Sequence, residues 1–301
     1  MNNLFRADLY KTFRSTALFV LIIINLVYSF IWVLSNHWYT EVLEEMDSEA
    51  VTISYEESAE YQAGYQIGME IGKTLSGNKD IPDEELRQRA DDVTNKRCTM
   101  SDVVGVFFTF NSIPYFMLAI LAGINVTAEF SSGPVRNTIA KGYSRTKVFF
   151  SRVLVTFIEG ILLNTAMLTG GVIGCAVFCE TGVLDMRWLL TSLLYIFYAA
   201  VFCMAYSFIY TAIGFAVQTN ATIAVNILFF IFGGVLLNVI QNITHLPTSS
   251  FWISSALENE YIHTYLNGTP LLFADNIAIA LGYIIVFGGV GMLIFKKRDI
   301  H

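Results

Sequence analysis

Residues 129–152 read E-F-S-S-G-P-V-R-N-T-I-A-K-G-Y-S-R-T-K-V-F-F-S-R and separate two long apolar runs. The stretch carries five basic residues against one acidic residue, Glu129. Short loops that join membrane segments and are rich in lysine and arginine stay in the cytoplasm. The stretch therefore predicts a short cytoplasmic loop with a membrane-spanning helix on either side.

The glycines and the proline of this stretch predict a short helix inside the loop. Gly133 and Pro134 are suited to start it, because proline is tolerated where a helix has no use for its N–H. Gly142 is suited to end it, and Ser144 to cap the helix that follows. We expect a helix of about two turns over residues 134–141.

Two interpretations of this short helix remain open. Val135 and Ile139 fall on one side and Arg136 on another, so the helix would present a basic face to a soluble partner. Alternatively, the segment is a basic turn that only fixes the topology of the chain.

The composition is that of an all-α protein that crosses the membrane several times. Of the 301 residues 54% are hydrophobic and 14% are charged, and the mean hydropathy is +0.55. Six apolar runs are each long enough to cross about 30 Å of hydrocarbon. They cover residues 17–35, 103–126, 148–178, 188–217, 221–244 and 273–295.

The connecting segments differ in charge, and this predicts their sides of the membrane. The N-terminal segment, the 127–152 loop and the C-terminal tail together carry 11 basic and 3 acidic residues, whereas residues 36–102 carry 16 acidic and 6 basic ones. Six helices with both termini in the cytoplasm satisfy every loop. No cleavable signal peptide is evident, because the first apolar run lacks a small-residue cleavage site.

Three divisions of the chain follow. Residues 1–35 hold an interfacial helix, with Phe5, Leu9 and Phe13 on one stripe, and the first span. Residues 36–102 form an acidic extracellular segment, expected as a small helical domain, with a flexible acidic loop as the alternative. Residues 103–301 hold the other five spans, the loop 127–147 and an outer amphipathic connection over 245–272.

Glu159 is the one charged residue well inside a predicted span. It either faces a cavity or partner near the middle of the membrane, or lies just inside the interface and pairs toward Arg152 two turns earlier. Asn164, Asn226 and Asn238 are expected to form hydrogen bonds across helices or to line a pathway. Paired glycines such as Gly170 and Gly171 favour close packing of helices.

Catalytic and metal-binding patterns are not evident. There is no phosphate-binding G-x-x-x-x-G-K-[ST] loop and no H-E-x-x-H, so we expect no enzyme activity, no metal site and no nucleic-acid partner. Buried free thiols are expected for the four cysteines, with a Cys98–Cys179 disulfide as the alternative if both face outward.

The 129–152 stretch resembles the first intracellular loop of ABC-2 type transporter permeases. The likeness lies in Glu129, Gly133 and Arg136, arranged E-x-x-x-G-x-x-R, and in the S-R-x-K formed by Ser144, Arg145 and Lys147. The likeness also extends to the architecture, which has six spans, an interfacial N-terminal helix and an amphipathic connection before the last span. Pro134 stands where many members have a polar residue.

This resemblance implies the membrane subunit of an exporter in the bacterial cytoplasmic membrane. Residues 134–141 would be a coupling helix that docks on a separate ATP-binding cassette subunit, which holds the ATP and Mg²⁺. A second permease copy or a homologous permease would pair with this chain. The resemblance assigns loop and ATPase contacts to Glu129, Gly133, Arg136, Lys141 and Arg145.

Two further hypotheses concern the substrate and the class of protein. The acidic outer segment would attract cationic species, so a cationic peptide or antibiotic is a substrate hypothesis. The alternative class is a sensor or assembly protein that transports nothing, whose outer segment binds a ligand and whose basic loop binds a signalling protein.

Overall fold

The computed structural model describes residues 2–49, 112–131, 133–178, 186–244, 252–253 and 274–297. Within these ranges the chain forms eight α-helices and no strand. Six of the helices are long and apolar enough to cross a bilayer. The helices are α1 Asn2–Phe13, α2 Thr16–Glu49, α3 Ile113–Ser131, α4 Pro134–Ala140, α5 Arg145–Phe178, α6 Met186–Val217, α7 Ala221–Thr244 and α8 Ala274–Lys297.

The six predicted spans correspond to α2, α3, α5, α6, α7 and α8, and the prediction of six apolar helices is confirmed. The second span is placed differently. The apolar run predicts residues 103–126, whereas α3 covers Ile113–Ser131 and residues 103–111 lie outside the described ranges. Helix α3 continues through Thr127, Ala128 and Glu129 because Glu129 is buried and paired inside the protein. Hydropathy alone places such residues in a loop.

Helix α2 also extends beyond its apolar run. The run ends near Ser35, but the helix continues to Glu49, into the segment predicted to be an external domain. The rest of that domain, most of the 245–272 connection, and both Cys98 and Cys179 lie outside the described residues. The other two cysteines, Cys175 and Cys203, are buried in the bundle and form no disulfide within the described residues.

Helix α5 is the central element of the bundle, and it packs against α1, α2, α3 and α6. Its most extensive packing contact is with α2, which runs parallel to it in the same direction. Gly170 of α5 lies against the backbone of α2, since a Cβ added there would stand 2.2 Å from the carbonyl oxygen of Leu26. Four residues further, Gly174 lies against Val33. Glycines thus allow the two helices to approach closely, as the sequence predicts for Gly170.

Gly170→Ala should lower the stability of the protein. The new methyl group would overlap the Leu26 carbonyl and the Ser29 hydroxyl, and overpacking of this kind costs about 1–3 kcal/mol. Gly282→Ala is the matched control, because a Cβ there meets nothing within 4 Å and alanine favours a helix by roughly 0.5–1 kcal/mol. Thermal unfolding in mild detergent measures both. Equal melting temperatures for the two variants would contradict the close approach.

One end of the bundle carries most of the described basic residues, and we call it the basic end. Here α3 ends, α4 lies between helices, α5 begins and α8 ends. The exposed cations at this end include Arg136, Lys141, Lys147, Lys296 and Lys297. A hydrophobic cluster lies beneath them, built from residues such as Leu4, Val135, Phe149, Phe215 and Phe295.

Candidate functional site

The loop between α3 and α5 is folded as the sequence predicts. Gly133 has φ +78° and precedes Pro134, the first residue of α4. Gly142, with φ +88°, follows the end of the helix. Both glycines have a backbone conformation that residues with a Cβ rarely adopt. The hydroxyl of Ser144 accepts a hydrogen bond of 3.4 Å from the backbone N–H of Lys147, so it caps α5 as expected.

Helix α4 has one buried face and one exposed face. Val135 is buried and Ile139 packs beside it against the cluster at the basic end. Arg136, Asn137 and Lys141 are exposed, and neither cation forms an ion pair within the described residues. The arrangement presents a short helix at the surface, with Arg136 and Lys141 exposed beside it.

Glu129, at the end of α3, is held inside the protein by cations from two other helices. Its carboxylate lies 2.7 Å from the guanidinium of Arg152 in α5 and 2.5 Å from the ammonium of Lys11 in α1. The glutamate is 1% exposed. It therefore fixes the start of the loop from within and is not available to contact a soluble partner.

Asp8 of α1 is the second acid in this group. It lies 2.9 Å from the Arg152 guanidinium and accepts a hydrogen bond of 2.7 Å from the hydroxyl of Ser151. We call Asp8, Lys11, Glu129 and Arg152 the charge network. Because its members belong to α1, α3 and α5, it joins the N-terminal helix to both spans that flank the loop.

The face of α1 that packs on the bundle lies beside the apolar stripe, which the sequence predicts to enter the lipid interface. The buried residues are Leu4, Asp8 and Thr12, one helical turn apart. Phe13, which the sequence predicts on the apolar stripe with Phe5 and Leu9, is 46% exposed. A stripe that includes aspartate and threonine is not recognised as buried by hydrophobicity, because its partners are polar groups on other helices.

Burial raises the pKa of the Asp8 carboxyl above its ordinary value. The Arg152 guanidinium and the Ser151 hydroxyl lower the pKa, and they offset the effect of burial only in part. The folded protein therefore favours the protonated form of Asp8 more than the unfolded chain does.

Arg145 is also engaged within the chain. Its guanidinium donates hydrogen bonds of 2.9 and 3.2 Å to the carbonyl oxygens of Phe295 and Lys296 at the end of α8. A cation at the C-terminus of a helix stabilises the unpaired carbonyls there. Of the residues expected to contact a partner, Arg136 and Lys141 remain exposed, whereas Glu129 and Arg145 hold the bundle together.

Glu159 is fully buried, and its hydrogen bonds come from neighbouring helices. The side-chain amide of Asn125 in α3 donates to it at 2.6 Å, and the hydroxyl of Thr12 in α1 forms a second hydrogen bond. The contact of Gly170 with Leu26 places Glu159 at about the level where α2 begins, near Thr16. Glu159 therefore lies toward the basic end, but it does not pair with Arg152, although one of the two interpretations from the sequence expected that pairing. Arg152 attracts the carboxylate without contacting it, since its guanidinium binds Asp8 and Glu129.

Glu159→Gln should preserve the fold, because the glutamine carbonyl can still accept the hydrogen bond from Asn125. Glu159→Leu removes that acceptor and leaves the partly buried Asn125 amide unsatisfied, which should cost at most about 1–3 kcal/mol. The melting temperature of the leucine variant should therefore fall clearly below that of the glutamine variant. Equal melting temperatures would show that the hydrogen bond contributes nothing.

The three asparagines have different surroundings. The amide of Asn164 donates to the carbonyl of Gly160 in its own helix and lies 3.1 Å from the sulfur of Cys203 in α6. The amide of Asn226 in α7 donates to the carbonyl of Ala119 in α3 at 3.2 Å. Both are buried, and both bridge helices as predicted. Asn238, in contrast, is exposed on α7.

The sequence-based selection missed several residues of this end of the bundle. Asp8, Ser151, Asn125 and Thr12 all contribute side chains to the polar contacts. One feature of the sequence points to these contacts. The loop has opposite charges at its two ends, Glu129 and Arg152, each beside an apolar helix, and such a pair is suited to an ion pair inside the bundle. Among the described residues no cluster of three or more histidine, cysteine, aspartate or glutamate side chains is arranged to hold a metal ion.

Six apolar helices and a polar network at one end define a multi-pass membrane protein. The chain belongs to the family described as "Protein of unknown function (DUF2705)", whose sequence model matches residues 94–301. The matched region contains α3 to α8, including the loop, Glu129 and Arg152. No curated protein and no solved structure matches the chain.

Proposed function

We propose that the protein is the permease subunit of an ATP-binding cassette exporter of the ABC-2 type. The proposal depends chiefly on the placement of α4. This short helix lies between the second and third spans, with its basic face exposed and its apolar face buried. The sequence pattern of residues 129–152 supports the same assignment. In this proposal α4 and Lys141 form the coupling helix, and the chain itself needs no nucleotide site.

The charge network explains how movement of α4 would reach the membrane. Glu129 lies four residues before Gly133, and its carboxylate is fixed to α1 and α5 by Lys11 and Arg152. Helix α1 leads directly into α2, and α2 packs along α5. A push on α4 would therefore move α1, α3 and α5 together as one rigid unit. Switching transitions of transport proteins use such rigid-body shifts.

The proposal includes the orientation and the partners of the chain. The basic end faces the cytoplasm of a bacterial cell, in agreement with the positive-inside rule. A separate ATPase subunit binds Arg136 and Lys141 and supplies ATP and Mg²⁺, and a second permease pairs with this chain in the membrane. The acidic segment 36–102 lies outside and favours a cationic peptide or antibiotic as the exported substrate.

Co-purification tests this function. The tagged protein is isolated from its native host in mild detergent, and the proteins bound to it are identified by mass spectrometry. Recovery of a cassette ATPase would support the permease. Recovery of a signalling kinase without an ATPase, from an intact preparation, would favour the alternative of a membrane sensor.

A further inference from the structure

A groove between α5 and α6 begins at the basic end and extends along the bundle. Its volume of about 420 Å³ lies within the range of roughly 300–1,000 Å³ that is typical of small-molecule sites. The walls are apolar and include Phe150, Leu154, Met204 and Phe208. Thr146 and Lys147 line it through their carbon atoms only, so no polar group faces the groove itself.

Lys147 stands at one end of this apolar groove. Lys147, Phe150 and Leu154 are spaced three and four residues apart, so they lie along one face of α5. Seven residues of helix separate Lys147 from Leu154, a rise of about 10 Å. The groove therefore has a cationic rim at the basic end and an apolar interior that points toward the middle of the membrane.

Two aromatic rings, Phe150 and Phe208, form one wall of the groove. Phe150 is 37% exposed, and its ring meets the Phe208 ring edge to face, with 6.1 Å between the centroids. Lys147 is exposed, and it forms no ion pair within the described part of the chain. The site thus offers a fixed apolar surface next to an uncompensated positive charge.

We propose that this groove binds one anionic phospholipid, with an acyl chain against Phe150 and Leu154 and the phosphate at the exposed Lys147 ammonium, just outside the end of the groove. The groove opens outward between two spans, so membrane lipid is the molecule that surrounds it. A neutral tail alone would leave Lys147 without a counter-charge, whereas an anionic headgroup provides one at the right end. The proposal rests on the position of the groove in the membrane and not on transport.

Native mass spectrometry of the purified protein tests the site with two probes, phosphatidylglycerol and phosphatidylcholine carrying the same acyl chains. The wild-type protein should bind one phosphatidylglycerol more tightly than phosphatidylcholine. Lys147→Gln should weaken binding of phosphatidylglycerol about fivefold, since one lysine contributes about 1 kcal/mol to anionic-lipid binding. Lys297→Gln, a neutralised lysine on α8, should leave the affinity unchanged.

A second pair of variants tests the apolar part of the groove. Leu154→Trp should fill it and prevent binding with the charge intact, whereas Leu193→Trp, on an exposed face of α6, should not. Glycerol phosphate, which has no acyl chain, should fail to compete. Equal affinity for the two lipids, no effect of Lys147→Gln, or competition by glycerol phosphate would each overturn the proposal.

Discussion

Arg152→Met should strongly destabilise the protein. The guanidinium of Arg152 is 2.9 Å from Asp8 and 2.7 Å from Glu129, and its loss would leave two buried carboxylates close together. Only Lys11 would remain as a cation, on the Glu129 side. Removing one partner from a buried ion pair costs about 3–5 kcal/mol. We expect a large fall in melting temperature in mild detergent and poor recovery of folded protein from the membrane.

Neutralising both acids should restore most of this loss. The triple variant Arg152→Met, Asp8→Asn, Glu129→Gln contains no buried carboxylate at the network, so methionine would sit among neutral groups. Asp8→Asn alone should be milder than Arg152→Met, since Arg152 keeps Glu129 as an anionic partner and asparagine can still accept the hydrogen bond from Ser151. If the triple variant were as unstable as Arg152→Met, the loss would come from packing of the arginine side chain and not from its charge.

Changes in α4 should prevent binding of the ATPase while the membrane protein stays folded. Arg136 is exposed and makes no ion pair within the described ranges, so Arg136→Glu removes nothing from the bundle. Charge reversal in a complementary interface costs several kcal/mol, so recovery of the ATPase should fall about tenfold or more. Replacing residues 134–141 by glycine and serine should abolish recovery. The amount of ATPase per permease, measured by quantitative mass spectrometry, decides the outcome.

Two controls make this result specific to α4. Lys297→Glu introduces the same change of charge at the same end of the bundle, but on α8, and it should retain the ATPase. The melting temperature of each variant shows whether the bundle is intact, because Val135 anchors α4 to the cluster beneath it. Full recovery of the ATPase with a disrupted α4 would contradict the coupling role. It would leave the lipid groove unaffected, since residues of α5 and α6 line the groove and none of α4 does.

The loop is the part of the fold that the sequence predicts most completely. Gly133, Pro134, Gly142 and Ser144 set the bounds of α4 and the start of α5 through backbone conformations and a cap. These are interactions between residues a few positions apart. They are therefore visible in the sequence, whereas the partners of Glu129 are not.

The number of spans and the charge difference between the ends are determined by the sequence itself, because both follow from local hydrophobicity and charge. Only the tertiary structure decided which polar residues meet. Asp8, Glu129 and Arg152 lie far apart in the chain, and their carboxylates and guanidinium come together because α1, α3 and α5 pack side by side. The same packing extends α3 through residues that hydropathy assigns to a loop, since a charge paired inside the bundle has no need of water.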